Sequence, residues 1–168
     1  MSEVTVGIDI GTTSVKAVAA DADGEVVARA RVPHELRVPA PGRLEHAAAA
    51  AWRAGPRAAL DALAVDGSDV RGVSVAAMVP SLTAVDDTGT PVAPGLLYGD
   101  ERGRTTSVGS PAESGELVAF LRWLLEAAPG AHGYWPAQAV ANHALAGAAV
   151  LDTATAATAA GLLDWSTG

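Results

Sequence analysis

A sharp turn near the amino terminus places an acidic residue, a glycine and several hydroxyl residues between two apolar segments. The acidic residue is Asp9, and Gly11, Thr12, Thr13 and Ser14 follow it. Successive backbone N–H groups in such a turn form a concave anion site that needs no basic side chain, and hydroxyl groups add further donors. A carboxylate beside the turn can bind Mg²⁺, which prefers hard oxygen ligands. The pattern therefore predicts a phosphate site, with Asp9 as the metal ligand.

Two further features bear on this turn. Lys16, the single lysine of the chain, can add a compact positive charge near a phosphate. Gly11 permits a positive φ angle and lets a ligand approach the backbone closely. The alternative is a hairpin whose polar turn is simply solvated, because short motifs also match by chance. The pattern is neither a P-loop nor a Rossmann turn, since no Gly-Lys-Ser/Thr follows a spacer and the chain continues as a strand.

The elements that must position this turn are apolar strands. Alternation of apolar and polar residues predicts strands over residues 4–10, 14–20 and 25–32, with Asp21–Gly24 as a tight turn. Later patterns predict further elements: a helix over 46–63 kinked near Gly55–Pro56, strands over 70–76 and 81–85, a turn over 86–89, a short strand running into a loop within 94–103, a flexible loop over 105–115, helices over 116–127 and 137–146 with Gly147 as the stop, and a loop or strand over 151–168. This mixture predicts a mixed α/β domain.

Composition excludes several function classes. Hydrophobic residues make up 49% of the 168 residues, which is typical of a folded domain with a real core. A net charge of −8 disfavours nucleic acid and anionic membranes as partners. The chain has no cysteine, so it has no disulfide framework and no thiolate metal site. No signal peptide and no lipid-spanning run is evident, and a cytoplasmic location is expected.

Longer strings carry a family resemblance. The string GIDIGTTSVKAVAADADGEVVA, residues 7–28, resembles the first phosphate motif of the actin/Hsp70/sugar-kinase superfamily, which has a ribonuclease-H-like fold. Later segments resemble the FGGY carbohydrate kinases, the relatives of xylulokinase and glycerol kinase: GRLEHAAAAAW (42–52), VRGVSVAAMVPSLTAVDDTGTPVAPGLLYGDERG (70–103), FLRWLLEAAPG (120–130) and LDTATAATAAGLLDWSTG (151–168). The resemblance spans nearly the whole chain and implies an incomplete N-terminal domain of such a kinase over residues 1–168.

The resemblance implies ATP-dependent phosphorylation of a sugar or polyol hydroxyl, with ATP and Mg²⁺ as cofactors and a small-molecule sugar or polyol as the partner. A homodimer of the complete protein is compatible with it. The implied nucleotide and metal residues are Asp9, Gly11, Thr12, Thr13, Ser14 and Lys16, with Asp9 on the metal. The implied sugar residues are Met78, Val79 and Pro80, which match the sugar-binding loop, and Asp100 and Arg102, which match an Asp-x-Arg pair near the sugar pocket. Carboxylate and guanidinium groups recognise polyols through hydrogen bonds.

The chain also departs from the family pattern. Xylulokinases carry Gln-Met-His-Gly where this chain has Met78-Val79-Pro80-Ser81, so the resemblance does not extend to D-xylulose itself. The segment over 103–116 is shorter than in the family. The family's general base and its second, nucleotide-binding domain follow in later segments, so residues 1–168 alone are expected to be inactive and to contain no catalytic residue.

Several alternatives stay open on the sequence alone. The chain could be a non-catalytic, actin-like nucleotide- or sugar-binding remnant, or a regulatory pseudo-enzyme. An Hsp70-like ATPase and a ROK-type sugar kinase fit the motifs less well. Asp100 and Arg102 could form only a surface pair, and Asp152 could be a helix cap as well as a pocket residue. The four histidines lack metal-ligand spacing and are interpreted as solvated or packed.

Overall fold

The computed structural model describes residues 3–104 and 116–159. The strands are β1 Val4–Ile10, β2 Ser14–Ala20, β3 Val26–Pro33, β4 Arg37–Ala40, β5 Arg43–His46, β6 Val70–Ala77, β7 Ser81–Val85, β8 Gly95–Leu97 and β9 Gly133–Trp135. The helical elements are a π-helical segment Ala49–Ala54, α1 Gly55–Ala62, a 3₁₀ turn Gly67–Asp69, α2 Glu116–Ala127, α3 Ala137–Ala146 and α4 Thr153–Ala157. Within these two ranges, no helix combines the length and the apolar character that crossing a membrane requires.

The first sheet carries the predicted turn. Its four strands lie in the order β3-β2-β1-β6, with β1, β2 and β3 antiparallel and β6 parallel to β1. The alternating pattern places apolar residues on one face of this sheet, and that face is buried. Ile8 and Ile10 of β1, which point to it, are nearly inaccessible to solvent. The parallel pairing aligns Ile10 with Ala77. The carboxyl ends of β1 and β6 therefore meet at the same edge of the sheet.

A second sheet was not predicted as a separate unit. Its five strands lie in the order β4-β5-β8-β7-β9, and every pair is antiparallel. The Pro-rich connection after β3 forms its first hairpin, β4–β5, in which Gly42 adopts a φ of +71°. This sheet joins the segment before the first helix to the segment that contains Asp100.

At several positions in the core, a glycine leaves room for a larger side chain to pack closely. Trp52 is fully buried on the π-helical segment. A Cβ at Gly95 would lie 2.3 Å from the Trp52 ring, so only glycine leaves room for the indole beside β8. A Cβ at Gly55 would similarly lie 2.8 Å from a methyl carbon of Val15, which allows α1 to pack closely on β2. A second cluster forms around Phe120 and α2.

Most predicted elements are confirmed, and two need correction. The first helix begins at Ala49, because His46 is the last residue of β5, and it changes from π-helical to α-helical geometry at Gly55. Residues 153–157 form α4, where a loop or strand was predicted, because the Asp152 carboxylate accepts a hydrogen bond from the Thr155 amide at 2.7 Å and caps the helix. The predicted loop over 105–115 and the segment 160–168 lie outside the described residues.

Candidate phosphate and sugar site

The Gly11–Ser14 turn is closed by one backbone hydrogen bond, from the Gly11 amide to the Ser14 carbonyl at 3.0 Å. The Thr12 carbonyl accepts a hydrogen bond from His46 Nε2 at 2.8 Å. The Thr13 carbonyl accepts one from the His34 amide at 3.0 Å. Among residues 3–104 and 116–159, no protein acceptor binds the amides of Thr12 and Thr13. Three carbonyls of the turn thus have partners, whereas within the described residues the amides of Thr12 and Thr13 have none, which is the arrangement that an anion requires.

Gly11 does not use the positive φ angle that glycine permits. Its φ angle lies outside the left-handed region, so backbone freedom does not explain the glycine. A Cβ at this position would lie 3.7 Å from Asp9 Oδ2 and 4.0 Å from Lys16 Nζ. Gly11 therefore keeps the space next to these two charged groups open.

Asp9 and Lys16 face each other across β1 and β2. They are paired in the register, and Lys16 Nζ lies 3.4 Å from Asp9 Oδ2. Their side chains are 53% and 58% exposed, so the pair contributes little to stability. Both groups are accessible to a ligand bound at the turn. Within the described residues, no cluster of three or more metal-ligating side chains occurs, and the role of Asp9 as a Mg²⁺ ligand stays a prediction.

Ser14 differs from the other residues of the turn. It is buried, and its hydroxyl accepts a hydrogen bond from Arg31 Nε at 3.1 Å. The same serine supplies the carbonyl that closes the turn. Ser14 therefore stabilises the turn through buried contacts. Contact between its hydroxyl and a phosphate stays a prediction.

The sequence did not single out Tyr98 as a site residue. Its hydroxyl lies 2.8 Å from Thr12 Oγ1. Tyr98 directly follows β8 and precedes Asp100 by two residues. This contact joins the Gly11–Ser14 turn to the segment that the resemblance assigns to the sugar pocket. The spacing of residues in the sequence could not reveal the contact between Thr12 and Tyr98, because the two residues come from distant parts of the chain.

His46 and Trp52 were also missed as parts of this site. His46 is fully buried, and its Nδ1 atom lies 2.9 Å from the indole Nε1 of Trp52. Burial, together with the neighbouring His34 ring, lowers the pKa of His46 to about 4, although the contact with the Thr12 carbonyl acts in the opposite direction. His46 is therefore neutral at physiological pH. The sequence prediction of a packed histidine is correct for this residue, but its contact with the turn could not be read from spacing.

The Met78–Pro80 loop begins beside the turn. The Met78 amide donates to the Ile10 carbonyl at 3.2 Å, which extends the pairing of β6 with β1 by one step. Met78 packs against the core, and Val79 is exposed. The parallel pairing of β1 and β6 thus brings the predicted phosphate segment and the predicted sugar segment together.

Asp100 and Arg102 form a buried pair, so the alternative of a surface pair is wrong. Asp100 is 0% exposed and Arg102 is 8% exposed. Arg102 Nη2 lies 2.7 Å from Asp100 Oδ2, and its Nη1 lies 2.8 Å from Glu45 Oε2. The guanidinium carbon also lies 4.7 Å from the centre of the Trp123 ring.

The Asp100 carboxylate is saturated by donors. It accepts hydrogen bonds from Arg102 and from the Leu44 amide, the latter at 2.6 Å. Burial alone would raise the pKa of Asp100, but the hydrogen bonds from Arg102 and Leu44 outweigh it and hold the pKa below its usual value. The group therefore ties β5 to the segment after β8. Direct contact of Asp100 or Arg102 with a sugar stays a prediction.

Asp152 acts as a helix cap. Besides capping α4, its carboxylate accepts a hydrogen bond from Gln138 Nε2 at 2.6 Å. Gln138 also donates to the Val75 carbonyl of β6 at 2.7 Å. This network fastens α3 and α4 to the first sheet.

The fold and this site define a ribonuclease-H-like domain of the sugar-kinase class, as the resemblance predicted. The model of the FGGY family of carbohydrate kinases, N-terminal domain, matches residues 4–110. The chain therefore belongs to the FGGY family of carbohydrate kinases.

Individual relatives agree with this assignment. The chain is 38% identical over 101 residues to apulose kinase from Pectobacterium atrosepticum, and this match covers 59% of this chain and 20% of that protein. It is 31% identical over 150 residues to glycerol kinase from Methylobacterium radiotolerans, and this match covers 78% of this chain and 30% of that protein. The solved structure of xylulose kinase from Rhodospirillum rubrum matches with a TM-score of 0.80 at 28% identity, covering 98% of this chain and 39% of that chain. The chain thus spans well under half the length of these relatives.

Proposed function

We propose that this chain supplies the first phosphate site and part of the sugar site of an ATP-dependent carbohydrate kinase, which transfers a phosphoryl group to a hydroxyl of a sugar or polyol. One observation carries the proposal. The hydrogen bond from the Met78 amide to the Ile10 carbonyl holds the Met78–Pro80 loop beside the Gly11–Ser14 turn. A hydroxyl bound at the loop would therefore lie next to phosphates bound at the turn.

The residues of the turn have separate roles in this proposal. The free amides of Thr12 and Thr13 bind phosphate oxygens, and Lys16 adds a positive charge. Asp9 holds Mg²⁺ as one carboxylate, which suits an ion that takes its other ligands from water and nucleotide phosphates. When bound, Mg²⁺ neutralises charge on the phosphates. The chain's own contribution is positioning, because phosphoryl transfer through a loose transition state needs little covalent chemistry from the protein.

The sugar site has an apolar side. Met78, Val79 and Pro80 have no side-chain hydrogen-bond donors, so they select a substrate by shape and leave polar recognition to other groups. Asp100 and Arg102 act here as the support of the pocket wall. This composition favours a sugar or polyol other than D-xylulose. Residues 1–168 alone bind phosphate without turnover, because the general base belongs to a later segment of the family pattern.

A titration of the isolated chain with pyrophosphate and Mg²⁺ tests this proposal. Amide resonances of Thr12 and Thr13 should shift in a saturable manner, and those of the distant turn at Asp86–Gly89 should not. A coupled assay with MgATP and a panel of sugars should show no sugar-dependent release of ADP. Absence of any shift at the turn would overturn the phosphate site. Sugar-dependent turnover would overturn the expected inactivity of the chain.

The alternative function, a non-catalytic nucleotide- or sugar-binding remnant, predicts the same binding by the isolated chain. The two differ when residues 1–168 are joined to all the segments that follow them in a relative, so that the chimera contains the general base and the second domain. A kinase half should gain sugar-dependent ADP release in such a chimera. A remnant should bind and remain inactive.

A further inference from the structure

We infer that His46 is a positioning residue for the phosphate site, because it holds the Thr12 carbonyl in a fixed direction and thereby aims the Thr13 amide at the ligand. This inference rests on the proposed function of the Gly11–Ser14 turn. His46 touches no ligand in this scheme. It acts through the backbone of the turn.

The two ring nitrogens of His46 have different partners. The indole Nε1–H of Trp52 can only donate, so His46 Nδ1, at 2.9 Å, must be the acceptor. The proton of the neutral ring therefore lies on Nε2. That nitrogen lies 2.8 Å from the Thr12 carbonyl oxygen, to which it donates. Trp52 thus sets the tautomer that the turn requires.

The hydrogen bond to the Thr12 carbonyl also orients a donor. A trans peptide unit is planar, and its C=O and N–H point in opposite directions. Holding the Thr12 oxygen towards the buried imidazole turns the N–H of Thr13 away from it. Within the described residues this N–H has no protein acceptor. His46 therefore presents a free amide at the surface where a phosphate would bind.

The His46 contact is supported by packing. Trp52 is fixed against β8, since a Cβ at Gly95 would lie 2.3 Å from its ring. The His34 ring lies nearly at right angles to His46, with 4.5 Å between ring centres, and it is the titratable group that faces His46. Burial lowers the pKa of His34 as well as that of His46. Both rings are therefore neutral near pH 7, and the donation to Thr12 does not depend on a charged imidazole.

The His46 contact differs from the contact between Thr12 and Tyr98. The Tyr98 contact involves the Thr12 side chain and is exposed to solvent. The His46 contact involves the Thr12 main chain, and its imidazole is buried. A change in the orientation of the Thr12–Thr13 peptide should therefore follow the loss of His46 and not the loss of the Tyr98 hydroxyl.

Nuclear magnetic resonance of the full 168-residue chain tests the inference, first without any variant. Long-range ¹H–¹⁵N spectra report which ring nitrogen of His46 carries the proton near pH 7. We expect the proton on Nε2. A proton on Nδ1 would overturn the inference, whatever the outcome of phosphate binding.

Three variants test the effect on the turn. His46→Leu removes both contacts, His46→Gln can donate to Thr12 and accept from Trp52, and His132→Leu is the control at an exposed histidine far from the turn. We expect a large shift of the Thr13 amide resonance in His46→Leu, a much smaller shift in His46→Gln and none in the control. Binding of pyrophosphate, measured at the same resonance, should weaken about tenfold for His46→Leu, as expected for the loss of one hydrogen bond.

The outcomes separate the inference from the proposed function. If the original chain binds no pyrophosphate, the phosphate site fails, while the tautomer and the Thr13 shift still test the positioning role of His46. If His46→Leu folds and leaves the Thr13 amide unchanged, that role is wrong. If that variant fails to fold, the tautomer in the original chain and the small Thr13 shift expected for His46→Gln still test the positioning role. A large Thr13 shift in His46→Gln would contradict the inference.

Discussion

Tyr98 and Thr12 join two segments that are 86 residues apart through a hydrogen bond of 2.8 Å between their hydroxyl groups. One segment is the Gly11–Ser14 turn, and the other leads from β8 into the buried Asp100–Arg102 pair. The two hydroxyls form a direct side-chain link between the proposed phosphate site and the wall of the proposed sugar site.

Replacing Tyr98 by Phe removes this link and little else. Because the bond is exposed, we expect the free energy of unfolding to fall by less than about 1 kcal/mol. The Thr12 methyl resonance should shift, since its side chain becomes free to rotate. Tyr134→Phe is the control, because that hydroxyl donates to the Ala128 carbonyl far from the turn. An unchanged Thr12 methyl resonance in Tyr98→Phe would show that the link is not formed in solution.

Replacing Asp9 by Asn should separate binding from stability. The Asp9 side chain is half exposed and its pairing with Lys16 is loose, so the free energy of unfolding should change by less than about 1 kcal/mol. Binding of pyrophosphate should lose its dependence on Mg²⁺, because the amide oxygen is a much weaker ligand for this ion. Isothermal titration with and without Mg²⁺ measures this. An Mg²⁺ effect of the same size in Asp9→Asn would exclude Asp9 as the metal ligand.

Replacing Arg102 by Met should destabilise the fold strongly. It leaves the buried Asp100 carboxylate and the Glu45 carboxylate without their cation, and breaking such a pair from one side costs about 3–5 kcal/mol. Urea unfolding measures the loss. Arg71→Met is the control, since its pair with Glu3 is exposed and should contribute under about 1 kcal/mol. Equal losses in the two variants would mean that the Arg102 cluster is open to water.

Acid should destabilise the fold in a defined range of pH. The unfolded chain protonates His46 near its ordinary pKa of 6.5, whereas the folded chain does so only at about 4. Below 6.5 the unfolded state binds more protons, so the free energy of unfolding falls as the pH drops from 6.5 to 4. The lowered pKa of His34 acts in the same direction. The free energy of unfolding should depend less on pH across this range for His46→Gln than for the original chain. The same pH dependence in both proteins would contradict the lowered pKa of His46.

The sequence predicted the turn and its strands because their signals are local. Alternating apolar residues define β1 and β2, and the small polar residues between them define the turn. The Met78–Pro80 loop was also identified, but only through a resemblance to a family. Its position beside the turn depends on the parallel pairing of β1 with β6, which alternation alone cannot specify.

The parts that the sequence did not reveal depend on contacts between distant residues. His46 lies in a run that is typical of the start of a helix, yet it ends β5, because the hairpin with β4 and the pairing with β8 extend the strand to it. Asp100 and Arg102 look like a surface pair, and only Glu45, Leu44 and Trp123 from other elements show that they are buried. Conversely, α4 was missed because its threonines favour helix weakly, and the Asp152 cap decides the outcome.

The arrangement of the first sheet has a consequence for the order in which the chain folds. β1, β2 and β3 pair with their sequence neighbours, whereas the pairing of β1 with β6 aligns Val4 with Val70 and must close a long intervening loop. Local pairs form sooner than distant ones, because loop closure costs entropy before any contact is made. We therefore expect pulsed hydrogen exchange to protect β1 and β2 before β6. The Gly11–Ser14 turn would then exist early in folding, and the Met78–Pro80 loop would reach it only when the long-range pairing of β1 with β6 forms.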